Sequence, residues 1–343
     1  MMAVSLALLV NLAPCWAQEV QQESKGLFAT RELESSTLPG NGNQLIIKAA
    51  ASLRGELTIL ATATDSAILT YTKRARTSRK SRAVDYLDQI AVSLSRIPIG
   101  LRLEMRAPNP APWKDDESGL VEATLEIPEG YEVEIDAAYF DVKADGPFIS
   151  FENTTSLGRM DVAHISERLE VETANRRVTV TDISGQIRVV TTNSRLTAEG
   201  ISGLTQPAVF RNDGGDIRIN GFTGGLNVKN AYGRIEIVDW DPNNEKSYIR
   251  CTSGPILIVL SDLNAGQLLI SNKYEDIELR LPQEFSAVLT MAVDEGGKIE
   301  AQNFPFTTEL VEPNRLNLLV GDGRATISSS VRGKGNIYIS ADE

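Results

Sequence analysis

From about residue 125 the sequence repeats itself at a spacing of 18 or 19 residues. That period constrains the fold more than any other feature. Asn175, Asn193, Asn212 and Asn230 stand 18, 19 and 18 residues apart. A second column runs Ile183, Ile201, Phe222, Trp240 and Leu263, each directly after a Gly or Asp: Asp182, Gly200, Gly221, Asp239 and Asp262. Between the columns lie pairs of alternating apolar residues, among them Val178/Val180, Ile187/Val189, Ile217/Ile219, Leu226/Val228, Ile235/Ile237 and Ile256/Ile258. Alternation at period two marks a strand with one buried face. One unit of two short strands cannot bury its own apolar face, whereas stacked units can. A unit traces roughly 60 Å of extended chain, enough for one coil, and coils stack about 4.8 Å apart. The expected fold class is all-β: a single-stranded, β-helix-like β-solenoid with coils of about 18–20 residues. Stacking in register would make the four Asn a hydrogen-bonded ladder at one corner and the Ile/Phe/Trp column a buried stack at another.

The rest of the chain divides around this repeat. Residues 1–17 carry no charge, and Ala3 to Val10 is almost wholly apolar. The run is too short to span a bilayer. With small residues at Cys15 and Ala17 it reads as a signal peptide cut near Ala17, which implies export. Leu12-Ala13-Pro14-Cys15 leaves a second reading open, a lipoprotein signal with the lipid on Cys15, although Pro14 stands where a small residue is expected. Residues 18–40 are polar and read as a flexible lead-in. Residues 41–124 read as an N-terminal β module, with clean alternation in Leu101 to Met105. One short helix is expected there between Ser78 and Ile90, because Ala83, Tyr86, Leu87 and Ile90 share a helical face. Residues 125–343 form the solenoid. No second apolar run is long enough to cross a membrane, so no transmembrane span is expected in the mature chain.

The formal net charge of −12 argues against a nucleic-acid partner, which needs a basic face to displace counterions. It equally disfavours docking on an anionic membrane. Against this background Lys73, Arg74, Arg76, Arg79, Lys80 and Arg82 form a basic run. One reading is a solvated helix entry, with Asp85 and Asp88 near Arg82. The other is a contact for lipopolysaccharide, another anionic glycan or an acidic partner. In Asp239-Trp240-Asp241-Pro242-Asn243-Asn244, a packed Trp240 with Asn243 and Asn244 on an exposed tip competes with an aromatic sugar-binding loop. His164 is the only histidine, and no Gly-framed nucleophile accompanies it. Histidine-based catalysis and histidine metal sites are therefore not expected. Asp182, Asp213, Asp216, Asp239 and Asp241 could serve a polysaccharide-cleaving site, but carboxylates at turns more often cap backbone N–H groups. Cys251 is the only cysteine after the leader, which leaves no intrachain disulfide in the mature protein. It reads as a small buried hydrophobe. No Gly-rich loop leads from strand to helix, and no cofactor or metal is expected.

Several stretches resemble a known group. Leu125-Glu126-Ile127-Pro128-Glu129-Gly130, followed by alternation to Ile135, is similar to its opening strand. Ser184-Gly185-Gln186-Ile187-Arg188-Val189 and Gly214-Gly215-Asp216-Ile217-Arg218-Ile219 are similar to its recurring Gly-led strand. Gly335-Asn336-Ile337-Tyr338-Ile339 is similar to its closing strand. The group is the bacterial adhesin-like, or toast-rack, family of β-strand-repeat proteins, a domain family of unknown function. The resemblance implies a β-helical fold, an extracytoplasmic location, and roles in adhesion or envelope-stress sensing. It supplies no catalytic residues. The expected function is an exported envelope or cell-surface solenoid, periplasmic, surface-bound or secreted, that binds a protein or glycan ligand or forms a scaffold without catalysis. Two alternatives stand beside it: a carbohydrate-active β-helix enzyme and an envelope-stress sensor accessory. Stacked carboxylates converging with an Arg or Lys in a groove would mark the enzyme.

Overall fold

The computed structural model describes residues 19–303 and 312–341. The leader, with Cys15 and the cleavage position, lies outside the described residues. The strands pair across coils rather than along the chain. Residues 160–165, Val178–Ile183, Leu196–Ile201, Ile217–Thr223, Ile235–Asp241, Ile256–Leu260 and Ile277–Leu281 pair in parallel, each with the next, and form a first wall. Residues 168–174, Gln186–Thr192, Ala208–Asn212, Leu226–Tyr232, Lys246–Ser253 and Gly266–Asn272 do the same in a second wall. Each coil thus lays one strand in each wall, and together they make the all-β solenoid that the period implies.

Alternation does the packing. Ile217 and Ile219, Leu226 and Val228, and Ile235 and Ile237 are buried, and the residues between them are not. Their inward side chains join one continuous apolar core that runs the length of the stack. The second column is real from Ile201 to Trp240: Ile201 pairs with Phe222 and Phe222 with Trp240. Its next member is Leu260, not Leu263. The residue before each column member is in the left-handed conformation: φ is 53° at Asp182, 64° at Gly200, 63° at Gly221 and 55° at Asp239. Gly, Asn and Asp reach that region at least cost, which explains the Gly-or-Asp rule in the sequence.

The coil length is not uniform, and this overturns the four-Asn ladder. Val162 pairs with Val180, eighteen residues on, but Ala198 pairs with Ile219, twenty-one residues on. Within the long coil Asn212 pairs with Thr191, not with Asn193. Asn212 and Asn230 do pair, and both are buried. Asn175 and Asn193 instead occupy turns, with φ of 64° and 52°. The buried polar column that exists is Thr173, Thr191, Asn212, Asn230, Cys251 and Asn272, in continuous register.

Residues 18–40 were expected to be a loose lead-in, but from Val20 onward they hold three strands, Val20–Ser24, Leu27–Thr30 and Leu33–Thr37. The last two pair antiparallel with Ala67–Arg76. Val20–Ser24 and Leu33–Thr37 are mostly polar and exposed, which hid them in the sequence, whereas Leu27–Thr30 is mostly buried. The expected boundary at 124/125 falls inside the strand Ser118–Pro128. That strand pairs in parallel with Leu53–Thr62, which pairs in turn with residues 140–145, so the sheet is continuous across it. The one helix among the described residues, Lys80–Gln89, buries Ala83, Tyr86 and Leu87.

Candidate functional site

The helix, the N-terminal hairpin and a loop meet at one end of the stack. Val20–Ser24 and Leu27–Thr30 form an antiparallel hairpin. Its turn contains Gly26, at φ 79°, whose carbonyl accepts the Thr77 N–H at 2.9 Å. Tyr86 meets the loop through an edge-on contact with Trp113, ring centroids 5.9 Å apart. Phe28, Ala75, Ala83, Tyr86 and Leu87 seal the small core beneath. Between these parts opens a cleft of about 1240 Å³. Lys25, Arg76, Lys80, Arg82 and Lys114 line it, together with Asp115, Asp116 and Glu117.

Glu117 organises one side of this cleft. Its carboxylate accepts hydrogen bonds from Thr77 Oγ1 at 2.6 Å, Arg82 Nη1 at 2.9 Å and the Tyr86 hydroxyl. The Thr77 and Tyr86 hydroxyls, with the Arg82 charge, hold its pKa down from 4.5 to about 2. The acid partner of Arg82 is therefore Glu117 and not the helix residues Asp85 and Asp88.

The structure divides the basic run. Arg76, Lys80 and Arg82 reach the cleft and are exposed. Arg79 is exposed at the start of the helix and does not line the cleft. Arg74 pairs with Glu23 at 2.8 Å and with Glu122. Lys73 is not solvated: it is 5% exposed, and its Nζ donates to the carbonyls of Leu87 at 2.7 Å and Ile90 at 3.1 Å. Alternation in the strand Ala67–Arg76 turns Lys73 inward, where it closes the C-terminal end of the helix. Burial lowers its pKa, against the nearby Asp88. Lys25 and Lys114 were missed in the sequence because each stands alone in a polar loop; only the fold brings them to the run.

Asn243 and Asn244 sit elsewhere, on the exposed turn after Asp241, both with positive φ (46° and 64°). Trp240 behind them is fully buried and donates Nε1–H to the Gly224 carbonyl at 3.0 Å. His164 is half exposed between carboxylates of adjacent coils, 2.8 Å from Asp145 and 3.5 Å from Asp182. The other turn carboxylates bind backbone: Asp216 accepts from the Arg234 N–H at 3.0 Å and Asp241 from the Asn243 N–H at 2.8 Å. Cys251 is buried, and desolvation pushes its thiol up to about 11. Among the described residues no cluster of His, Cys, Asp and Glu suits a metal ion, and no helix is long and apolar enough to cross a membrane.

No protein-family model matches the chain, and no curated protein does. Solved structures align with it over most of its length. One from Bacteroides fragilis, described as a "putative adhesin", covers 90% of this chain and 97% of its own at 11% identity and a TM-score of 0.30. One from Parabacteroides merdae with the same description covers 90% and 95% at 9% identity and a TM-score of 0.32. A third, from Parabacteroides distasonis, is described as a "putative lipid binding protein" and covers 90% and 96% at 10% identity and a TM-score of 0.32. The solenoid rests on strand register alone.

Proposed function

We propose that this chain is an exported, adhesin-like binding protein of the cell envelope or surface, which acts by contact and turns over no substrate. The cleft at the N-terminal end carries the proposal. Five cations line it against three carboxylates, on a molecule whose net charge is −12. One of those carboxylates, Glu117, is already engaged by three donors and serves as scaffold. The charge left over attracts an anionic group on a protein or glycan ligand. Of the carboxylates weighed for a cleaving site, Asp216 and Asp241 accept turn N–H groups and Asp182 lies beside His164. Asp216 also lines a groove with Glu199, Glu236, Arg195, Arg218 and Arg234, so the cleavage assay below is a real test of the enzyme alternative.

Binding of the mature protein to an array of acidic and neutral glycans, and to acidic peptides, tests this. Ligands retained by the natural protein should be lost on Arg76→Glu/Lys80→Glu. Incubation with acidic and neutral polysaccharides, with and without Ca²⁺, tests the absence of turnover. Reproducible cleavage abolished by Asp182→Asn or Asp239→Asn would replace the binding protein with an enzyme.

A further inference from the structure

We propose a second site on the second wall, far along the chain from the cleft: a linear track for an anionic polysaccharide. Arg211 pairs with Lys229, and Lys229 with Arg250, so three cations stand in one outward column on consecutive coils. All three are exposed. The column continues in register through Ser271 and Ser330. Lys273 and Arg332 flank it, also exposed. A groove of about 550 Å³ runs here, lined by Lys229, Arg250, Lys273 and Arg332 and by no carboxylate.

The arrangement sets like charges against one another. Like charges directly opposite on neighbouring strands destabilise a sheet. On the same wall Glu134, Glu152 and Glu170 also stand opposite one another, but there Arg168 lies 3.8 Å from Glu152 and Arg188 3.5 Å from Glu170, and on the other wall Arg218 lies 3.5 Å from Glu236. Arg211, Lys229, Arg250, Lys273 and Arg332 form no ion pair among the described residues. A ladder of cations without ion-pair partners on an acidic protein is placed to attract an anion from outside.

The geometry selects its kind. Cations about 4.8 Å apart along the stack match a chain that carries an acid group on each successive unit. The hydroxyl row of Ser271 and Ser330 offers donors and acceptors suited to sugar hydroxyls. Tyr248, beside Arg250 and Lys246, adds an aromatic face of the sort that sugar rings pack against. A wide duplex or a bilayer would also meet the acidic surroundings, whereas a single thin chain lies within the groove.

The test uses oligogalacturonates of graded length, with neutral dextran and a short DNA duplex as comparisons, in titration calorimetry at low and high salt. Affinity should rise with length until the oligomer spans the three cationic coils, and fall with salt. Arg211→Gln/Lys229→Gln/Arg250→Gln should weaken binding about tenfold or more and flatten the salt dependence. Lys229→Gln alone should do so in part. The triple variant should melt no lower than the natural protein, because it relieves repulsion. Arg76→Gln/Lys80→Gln, in the N-terminal cleft, should leave oligogalacturonate binding intact. Absence of binding, binding unchanged in the triple variant, or preference for the duplex would overturn the track. Loss of binding only in the cleft variant would also overturn it while leaving the cleft's own role standing.

Discussion

Asn230 and Asn193 share a residue type and a place in the apparent period, yet they do different work. Asn230 points inward and its amide donates to the carbonyls of Gly215 and Gly233, at 2.9 and 3.0 Å. Asn193 supplies a left-handed turn. Asn230→Ala should therefore cost about 1–3 kcal/mol, the penalty for buried carbonyls left without a donor. Asn193→Ala should cost about 1 kcal/mol, as strain at positive φ, and Asn193→Gly almost nothing. Urea unfolding of the three variants measures this; equal losses at both positions would restore the single ladder. Cys251 occupies a ladder position between Asn230 and Asn272, and its Sγ lies 3.5 Å from the Gly233 carbonyl. Buried, with a pKa near 11, the thiol should resist Ellman's reagent at pH 8 until denaturant is added. The distinction between the two kinds of Asn was partly legible. Asn212, Asn230 and Asn272 each follow an inward apolar residue by two positions: Phe210, Val228 and Ile270. Asn193 follows Val189 by four, which places it past the end of the strand. Spacing between the Asn residues alone hid this, because a twenty-one-residue coil and a two-residue offset combine to imitate a nineteen-residue repeat.

Among the elements, the strand Ala67–Arg76 and the helix Lys80–Gln89 show where a pattern of charge misleads. Six cations in ten residues look like one solvated face. The chain changes from strand to helix within them, so the residues project in several directions. Lys73→Ala should cost about 1–3 kcal/mol, since two carbonyls at the helix end lose their donor in a buried place. Arg79→Ala, at an exposed position, should stay within about 0.5 kcal/mol. Chemical denaturation of the pair separates the built-in lysine from the solvated arginine. Glu117 gives a pH signature for the same region. Its folded-state pKa is depressed, so its contribution is complete above the ordinary value of 4.5 and is lost as pH falls toward about 2. Glu117→Gln should therefore show a smaller fall in Tm between pH 5 and pH 2 than the natural protein. An unchanged acid profile would mean that the three donors do not hold the carboxylate in solution. The helix itself was readable from its apolar face; its partner Glu117, 35 residues from Arg82, was not, because nothing local links them.

At the scale of the whole molecule, chain order and stacking order part company at both ends. Near the N-terminus, Gln44–Ala49 lies between Gly100–Arg106 and Tyr131–Asp136, so an early coil is enclosed by two later ones. Near the C-terminus, Ala325–Val331 fits between Gly266–Asn272 and Ala287–Val293, and Ile337–Ala341 fits between Ile277–Leu281 and Ile299–Gln302. Antiparallel strands then cover the ends: Ala91–Ile97 pairs with Gly100–Arg106, and Arg315–Val320 with Ala287–Val293. Local alternation identifies each of these strands but carries no information on which coil a strand joins. The strand Ile337–Ala341, which a sequential solenoid would leave as an open edge, is thus an interior strand. Enclosing it deals with the hazard of a terminal edge, whose unpaired N–H and C=O groups template association. The consequence is a distinct response to truncation. In a sequential repeat protein, loss of the last coil shortens the stack and leaves one edge where there was one before. Here, deletion from residue 322 removes the coil that joins Gly266–Leu281 to Ala287–Gln302. It exposes facing edges on both sides of the gap and strips the inward residues Ala325, Ile327, Ile337 and Ile339 from the core. The truncated protein should associate at micromolar concentration in light scattering, and amide exchange should accelerate in residues 266–302 while residues 160–240 keep their protection. A monomeric truncation product with slow exchange up to residue 302 would show that the last coil is dispensable and that the interleaved order has no structural role.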